Sequence, residues 1–194
     1  SKGQETRRKV LNRATRIINT RGFNGTSIND IIKATGVKKG NLYFHFASKD
    51  AMCREIILAA KENYFDFLKH QMIGETPLQQ LFSLLDAVSA YHSRNHFVGG
   101  CIFGNTALEM ADTDSNFTRL IREIFNEWIA LLAELVEKAQ RRDEIYRDLN
   151  PEALARHIVA TVEGGIMMAR LSKNPNDLDD CLISLKTWLS QKSH

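Results

Sequence analysis

The segment from Gly36 to Asp50, GVKKGNLYFHFASKD, sets two lysines beside a glycine and follows them with four consecutive rings, Tyr43, Phe44, His45 and Phe46. Cations neutralise phosphates and a glycine lets a backbone approach closely, so part of this segment suits a polyanion. The rings suit a packed interior, and a segment that carries both must serve two surfaces at once. A second group of chemically capable side chains lies farther along. His92 and His96 stand four apart, a spacing that can put two imidazoles on one helix face. No third ligand follows at that spacing, so no metal is implied and His92 is left to a pocket or the surface. In GGCIFGNTALEM, Gly99 to Met110, Cys101 falls near a helix start, where the dipole favours a thiolate. Asn105 and Glu109 lie four apart on one face of that helix. With His92, Cys101, Phe103, Met110, Phe125, Trp128 and Met167 they are the expected wall of a small-molecule pocket, plain core packing being the alternative for the aromatics.

Catalysis is the poorer reading. The chain has no phosphate-binding glycine loop, no HExxH, no nucleophile elbow and no CxxC, and no cofactor is implied. Cys53, Cys101 and Cys181 are odd in number and far apart, which argues against a disulfide framework. No apolar run approaches the roughly 20 residues of a membrane span, and no charged start precedes an apolar core, so a cytoplasmic protein without a membrane partner is expected.

The elements that must position these residues are helices. Apolar residues return at helical spacing almost everywhere, and no segment alternates with the period of a strand. One long stripe runs through residues 117, 120, 121, 124, 125, 128, 132, 135, 136 and 139. Others occupy 53–68, 154–169 and 178–189. The prolines mark boundaries: Thr76-Pro77-Leu78-Gln79 and Asn150-Pro151 each open a helix, and Pro175 separates the last two. The spacing predicts helices near 4–21, 28–34, 38–44, 49–72, 77–95, 102–111, 115–141, 151–171 and 177–191.

Charge divides the 194 residues unevenly. Residues 1–50 carry eleven Lys/Arg against three Asp/Glu, and residues 51–194 carry fifteen against twenty. A basic quarter of this kind is the footprint of a phosphate-binding module, a solvated basic face being the bland alternative. Within it, Ser27 can cap a short helix that ends near Gly36, and a short turn leads into a second. Two short helices joined by a glycine-containing turn are the helix-turn-helix plan, whose second helix enters the major groove of DNA. Val37, Leu42 and Phe46 suit the packing face. Lys38, Lys39, Asn41, Tyr43, Phe44 and His45 can face outward or sit at its edge.

These residues resemble the TetR/AcrR type of bacterial transcriptional regulator. Arg21-Gly22-Phe23, Thr26-Ser27-Ile28, Ile31 to Val37, Gly40 to Phe46 and Ser48-Lys49-Asp50 match that family's amino-terminal signature in order and spacing, over about residues 7–55. The resemblance implies an all-α protein with a three-helix DNA-binding domain at 1–48 and a helical ligand-binding and dimerisation domain at 49–194. It also implies a homodimer on a palindromic, double-stranded operator, released by a small-molecule inducer. By position, Thr26, Ser27, Lys39, Tyr43, His45 and Lys49 correspond to phosphate contacts, and Lys38, Gly40, Asn41 and Phe44 to the base-facing set. Phe44 departs in having no donor, though its ring can touch a thymine methyl. Dimerisation is expected on the last two helices through Val162, Gly165, Ile166, Leu182, Leu185, Trp188 and Leu189, with Gly164-Gly165 allowing a close helix crossing. The rivals are a constitutive architectural DNA-binding protein, a repressor that senses electrophiles or oxidants through Cys101, and a helical enzyme with an appended DNA module.

Overall fold

The computed structural model describes residues 2–191, and among them every regular element is an α-helix. In chain order these are α1 (Lys2–Arg21), α2 (Ile28–Thr35), α3 (Lys39–His45), α4 (Lys49–Gln71), α5 (Pro77–Ser93), α6 (Ile102–Met110), α7 (Ser115–Arg141), α8 (Pro151–Ser172) and α9 (Asn176–Leu189). Each lies within three residues of its expected bounds, and the capping signals explain the agreement. Ser27 Oγ accepts from the Asp30 N–H at 3.1 Å while the Asp30 carboxylate accepts from the Ser27 N–H at 2.9 Å. Thr76 and Gln79 repeat this reciprocal arrangement at α5, both bonds at 3.2 Å. Asn150 Oδ1 accepts from the Ala153 N–H at 2.9 Å, and Pro151 takes the first turn of α8, where its missing donor costs nothing.

The chain forms two compact units. The first comprises residues 1–63 and 102–121, and the second residues 64–101 and 122–194. A boundary placed at residue 48 would leave α6 with the later helices. The structure instead gathers α6 and the start of α7 into the first unit, because Met110 and Phe117 join its core. That core is built from Val10, Ala14 and Ile18 of α1, Ile31 of α2, Leu42 of α3, and Met52, Cys53 and Ile56 of α4, with Phe23, Val37 and Phe46 from the connections. Phe23 and Phe117 meet edge to face at 4.8 Å.

In the second unit the apolar stripe of α7 is buried through Ile124, Trp128, Leu132, Leu135, Val136 and Ala139. Gln140 of α7 is also buried, and its amide donates to the carbonyls of Tyr146 and Leu149 at 2.9 and 2.8 Å, which fixes the loop before α8. Helices α8 and α9 cross closely at Gly165. A Cβ there would lie 2.7 Å from Leu178 Cδ1 and 3.3 Å from its Cα. Gly164 is different, since a Cβ added to it would meet nothing within 4 Å. No helix among the described residues is long and apolar enough to cross a membrane.

Candidate nucleic-acid interface and buried aromatic cluster

The glycine at the end of α2 makes the turn. Gly36 is left-handed at φ 71° and its N–H donates to the Ile32 carbonyl at 2.9 Å, a conformation that costs glycine little and other residues more. Arg13 of α1 donates to the Ala34 and Thr35 carbonyls at 3.0 and 3.4 Å, satisfying acceptors that the helix end leaves free. From this anchored turn α3 divides its residues by face. Val37, Leu42 and Phe46 are buried in the core. Lys38, Lys39, Gly40, Asn41, Tyr43 and Phe44 are exposed, Phe44 by 82%. A ring so open to water on a helix that buries Leu42 beside it is unexplained by the fold.

Gly40 is unexplained by the fold as well. A Cβ there would meet nothing within 4 Å and its φ is not positive, so neither space nor conformation within the chain requires glycine. His45 is half-buried, with its ring edge-on to Phe44 at 5.3 Å. Lys49 is also half-buried, and its ammonium sits over the Phe23 ring at 5.8 Å. Two of the expected phosphate contacts have hydroxyls engaged within the chain. Thr26 is wholly buried and donates its hydroxyl to the Gly22 carbonyl at 2.7 Å, so its side chain braces the loop. Ser27 is exposed, but its hydroxyl is engaged with Asp30 in the cap.

The expected pocket residues divide between the units. Phe103, Asn105, Glu109 and Met110 belong to the first; His92, Cys101, Phe125, Trp128 and Met167 belong to the second. Asn105 and Glu109 face the end of α1. The Asn105 amide donates to the Asn19 side chain at 2.8 Å, and the Glu109 carboxylate accepts from the backbone N–H groups of Phe23 and Asn24 at 2.8 and 2.6 Å. Their four-residue spacing does place them together, Asn105 on the last turn of α1 and Glu109 on the loop N–H groups that follow it. Gly22 leaves room for this clasp, since a Cβ there would lie 2.8 Å from Glu109 Oε2. Met110 and Phe103 are buried, Met110 within the first core. Met167 is 60% exposed and lines no interior.

The second unit holds an aromatic cluster that sequence reading found only in part. The ring of Tyr64 meets Trp128 at 5.6 Å, Tyr91 at 6.1 Å and Phe67 at 6.2 Å, Phe125 stacks near Trp128 at 6.1 Å, and His92 lies between Tyr91 and Phe97. Burial holds the His92 imidazolium down to a pKa of about 4, so His92 is a neutral wall residue at pH 7. Glu163 of α8 completes the group. Burial raises its pKa, and the Cys101 thiol, which donates to its carboxyl, opposes that shift. The Tyr64 phenol is pushed up by burial first and then by Cys101, Glu163 and Tyr91, which places these groups around one another. Two atoms here are buried without a hydrogen-bond partner: Trp128 Nε1 and Glu163 Oε1. Cys101 is thus 9% exposed and engaged as a donor. Cys53 is more inert still, since burial pushes its thiol up to about 12.

Of the residues expected between two copies, Val162, Gly165, Ile166, Leu182, Leu185 and Leu189 are buried in the chain's own packing, and Trp188 alone is exposed, by 43%. Within the single chain these apolar stripes pack α8 against α9 and α9 against α5. The outward surface of α8 and α9 instead carries Met167, Met168, Leu171, Ile183 and Trp188. A groove of about 450 Å³ lies there, with Thr161 and His157 on one side and Cys181, Leu185 and Trp188 on the other. Among the described residues no three His, Cys, Asp or Glu side chains converge to hold a metal.

Comparison with known proteins gives a consistent assignment. Residues 10–56 match the model of bacterial regulatory proteins of the tetR family, and residues 77–184 match that of the tetracyclin repressor-like C-terminal domain. The fold is similar to a crystal structure of a TetR transcriptional regulator from Chloroflexus aurantiacus, with a TM-score of 0.91 and 33% identity over 98% of this chain and 97% of that one. An uncharacterised HTH-type transcriptional regulator of Lactococcus lactis is 28% identical over 95% of this chain and 93% of its own. The HTH-type transcriptional repressor DhaR of a Mycobacterium species is 27% identical over 91% and 88%.

Proposed function

The chain belongs to the TetR family of bacterial transcriptional regulators, and from that premise we propose that it is a homodimeric repressor that grips a palindromic operator with α3 and releases it when a small molecule enters the second unit. The observation that carries the DNA reading is the exposed face of α3. Lys38, Lys39, Gly40, Asn41, Tyr43 and Phe44 all face water on a helix whose opposite face is buried. Lysines neutralise phosphates there, Asn41 offers a donor and an acceptor to a base edge, and Phe44 can cover a thymine methyl.

The effector reading is supported by the two unpartnered buried atoms of the second unit. Native interiors pair nearly all such groups, and these two atoms offer an occupant one donor and one acceptor. This favours a responsive regulator over a constitutive architectural protein. The Cys101 thiol is both covered and held by Glu163, which favours a wall residue over an exposed thiolate sensor. Two copies would meet on the outward face of α8 and α9, where Met167, Met168, Leu171, Ile183 and Trp188 expose apolar surface and open Gly164 admits a crossing helix. An effector then acts by binding more tightly to the dimer whose two α3 helices no longer fit successive major grooves.

Selection of bound sequences from random duplex DNA tests the reading. It should return a two-fold-symmetric site with half-sites about one helical turn, or a multiple of it, apart. Enrichment without symmetry or sequence preference would instead favour the architectural rival.

A further inference from the structure

Trp128 Nε1 and Glu163 Oε1 are buried atoms of two residues that both neighbour Tyr64, and each asks for a different partner. The indole N–H can only donate, so it needs an acceptor. The carboxyl oxygen, with the thiol of Cys101 already donating to the group, needs a donor. Tyr64 joins the two, since its ring meets Trp128 and its phenol lies near Glu163 and Cys101. Burial raises the Glu163 pKa and the Cys101 thiol opposes that shift, while His92, on the neighbouring wall, is neutral at pH 7. An anionic occupant would be disfavoured beside a carboxyl whose ionised form burial already penalises. A cation would supply a countercharge, and the faces of Tyr64, Tyr91 and Trp128 would favour it further.

Resting on the effector reading above, we infer that the effector is a small organic amine in its ammonium form, which donates to Glu163 and carries an oxygen that accepts from the Trp128 indole N–H. The rings pack its hydrocarbon body, and the paired polar groups set its orientation. The selectivity is therefore one of charge, carried by Glu163, with Trp128 adding affinity for any ligand that presents an acceptor.

Three probes of one skeleton separate these roles: tyramine, neutral tyrosol and anionic 4-hydroxyphenylacetate, each titrated into the full-length protein by calorimetry and into its operator complex. Tyramine should bind about tenfold or more tightly than tyrosol, and 4-hydroxyphenylacetate should not bind measurably. Glu163→Gln should bring tyramine and tyrosol level. Trp128→Phe, which keeps a ring and removes the N–H, should weaken both while keeping their order. Equal or stronger binding of the acid, absence of tyramine binding, or an unchanged preference in folded Glu163→Gln would overturn the inference; if Glu163→Gln does not fold, the order of the three probes on the natural chain decides. The two readings fail separately. Release of DNA by tyrosol or 4-hydroxyphenylacetate but not by tyramine would preserve small-molecule control and refute the amine. Tyramine binding with the expected order, but with the operator complex intact, would preserve the amine site and refute its role in release.

Discussion

Gly40 separates what the fold needs from what the function needs. The chain leaves space for a side chain there and imposes no left-handed backbone, so a glycine in α3 costs stability without structural return. Gly40→Ala should therefore hold or raise thermal stability, by up to about 1 kcal/mol, while weakening operator binding, because the added methyl stands where the DNA backbone would approach. A loss of stability together with unchanged DNA affinity would remove Gly40 from the interface. His92 gives a second residue-level expectation. Its folded pKa of about 4 lies below the ordinary value of 6.5, so its contribution to stability is complete above pH 6.5 and is lost as pH falls toward 4. The loss over that window should be about 3 kcal/mol, and denaturant titrations at several pH values should show it flattened in His92→Leu. At this scale the sequence was legible where residue type and face agree, as at Lys39, Asn41 and Leu42. It did not show that the polar groups of Thr26, Asn105 and Glu109 bond to nearby backbone and side chains, because periodicity does not reveal hydrogen-bond partners. Glu163 was overlooked, although it is the sole charged residue in IVATVEGGIMMA and so stood out as a charge on an apolar helix.

The helices themselves were almost wholly legible, because capping pairs and prolines announce their starts and the buried stripe announces their extent. What the stripes do not state is which molecule they face. Leu182, Leu185 and Leu189 of α9 bury themselves within the same chain, an outcome indistinguishable by spacing from an interface between copies. The paired glycines of α8 show how to separate the two cases. Gly165 lies against Leu178, and Gly165→Leu should destabilise the monomer fold itself by about 1–3 kcal/mol through overpacking, read as a lower denaturation midpoint. Gly164 is open, so Gly164→Leu should leave the fold within about 0.5 kcal/mol or stabilise it, and should act on dimerisation, read by sedimentation at dilute protein. Equal destabilisation by both substitutions, with the dimer unchanged, would place the second copy on another surface.

Across the whole molecule, the uneven charge and the amino-terminal signature pointed to a helix-turn-helix at α2 and α3, and the comparisons established the family. The central claim is that the exposed face of α3 binds the operator backbone through its lysines and reads bases through Asn41. Its most direct test is the salt dependence of operator binding. Plotted as the logarithm of affinity against the logarithm of salt concentration, Lys39→Ala should show a slope shallower by about one unit than the natural chain, with affinity reduced on specific and non-specific DNA alike. Asn41→Ala should keep the slope and lose discrimination among operator variants. If both substitutions left slope, affinity and discrimination as they are in the natural chain, α3 would not be the element that meets DNA.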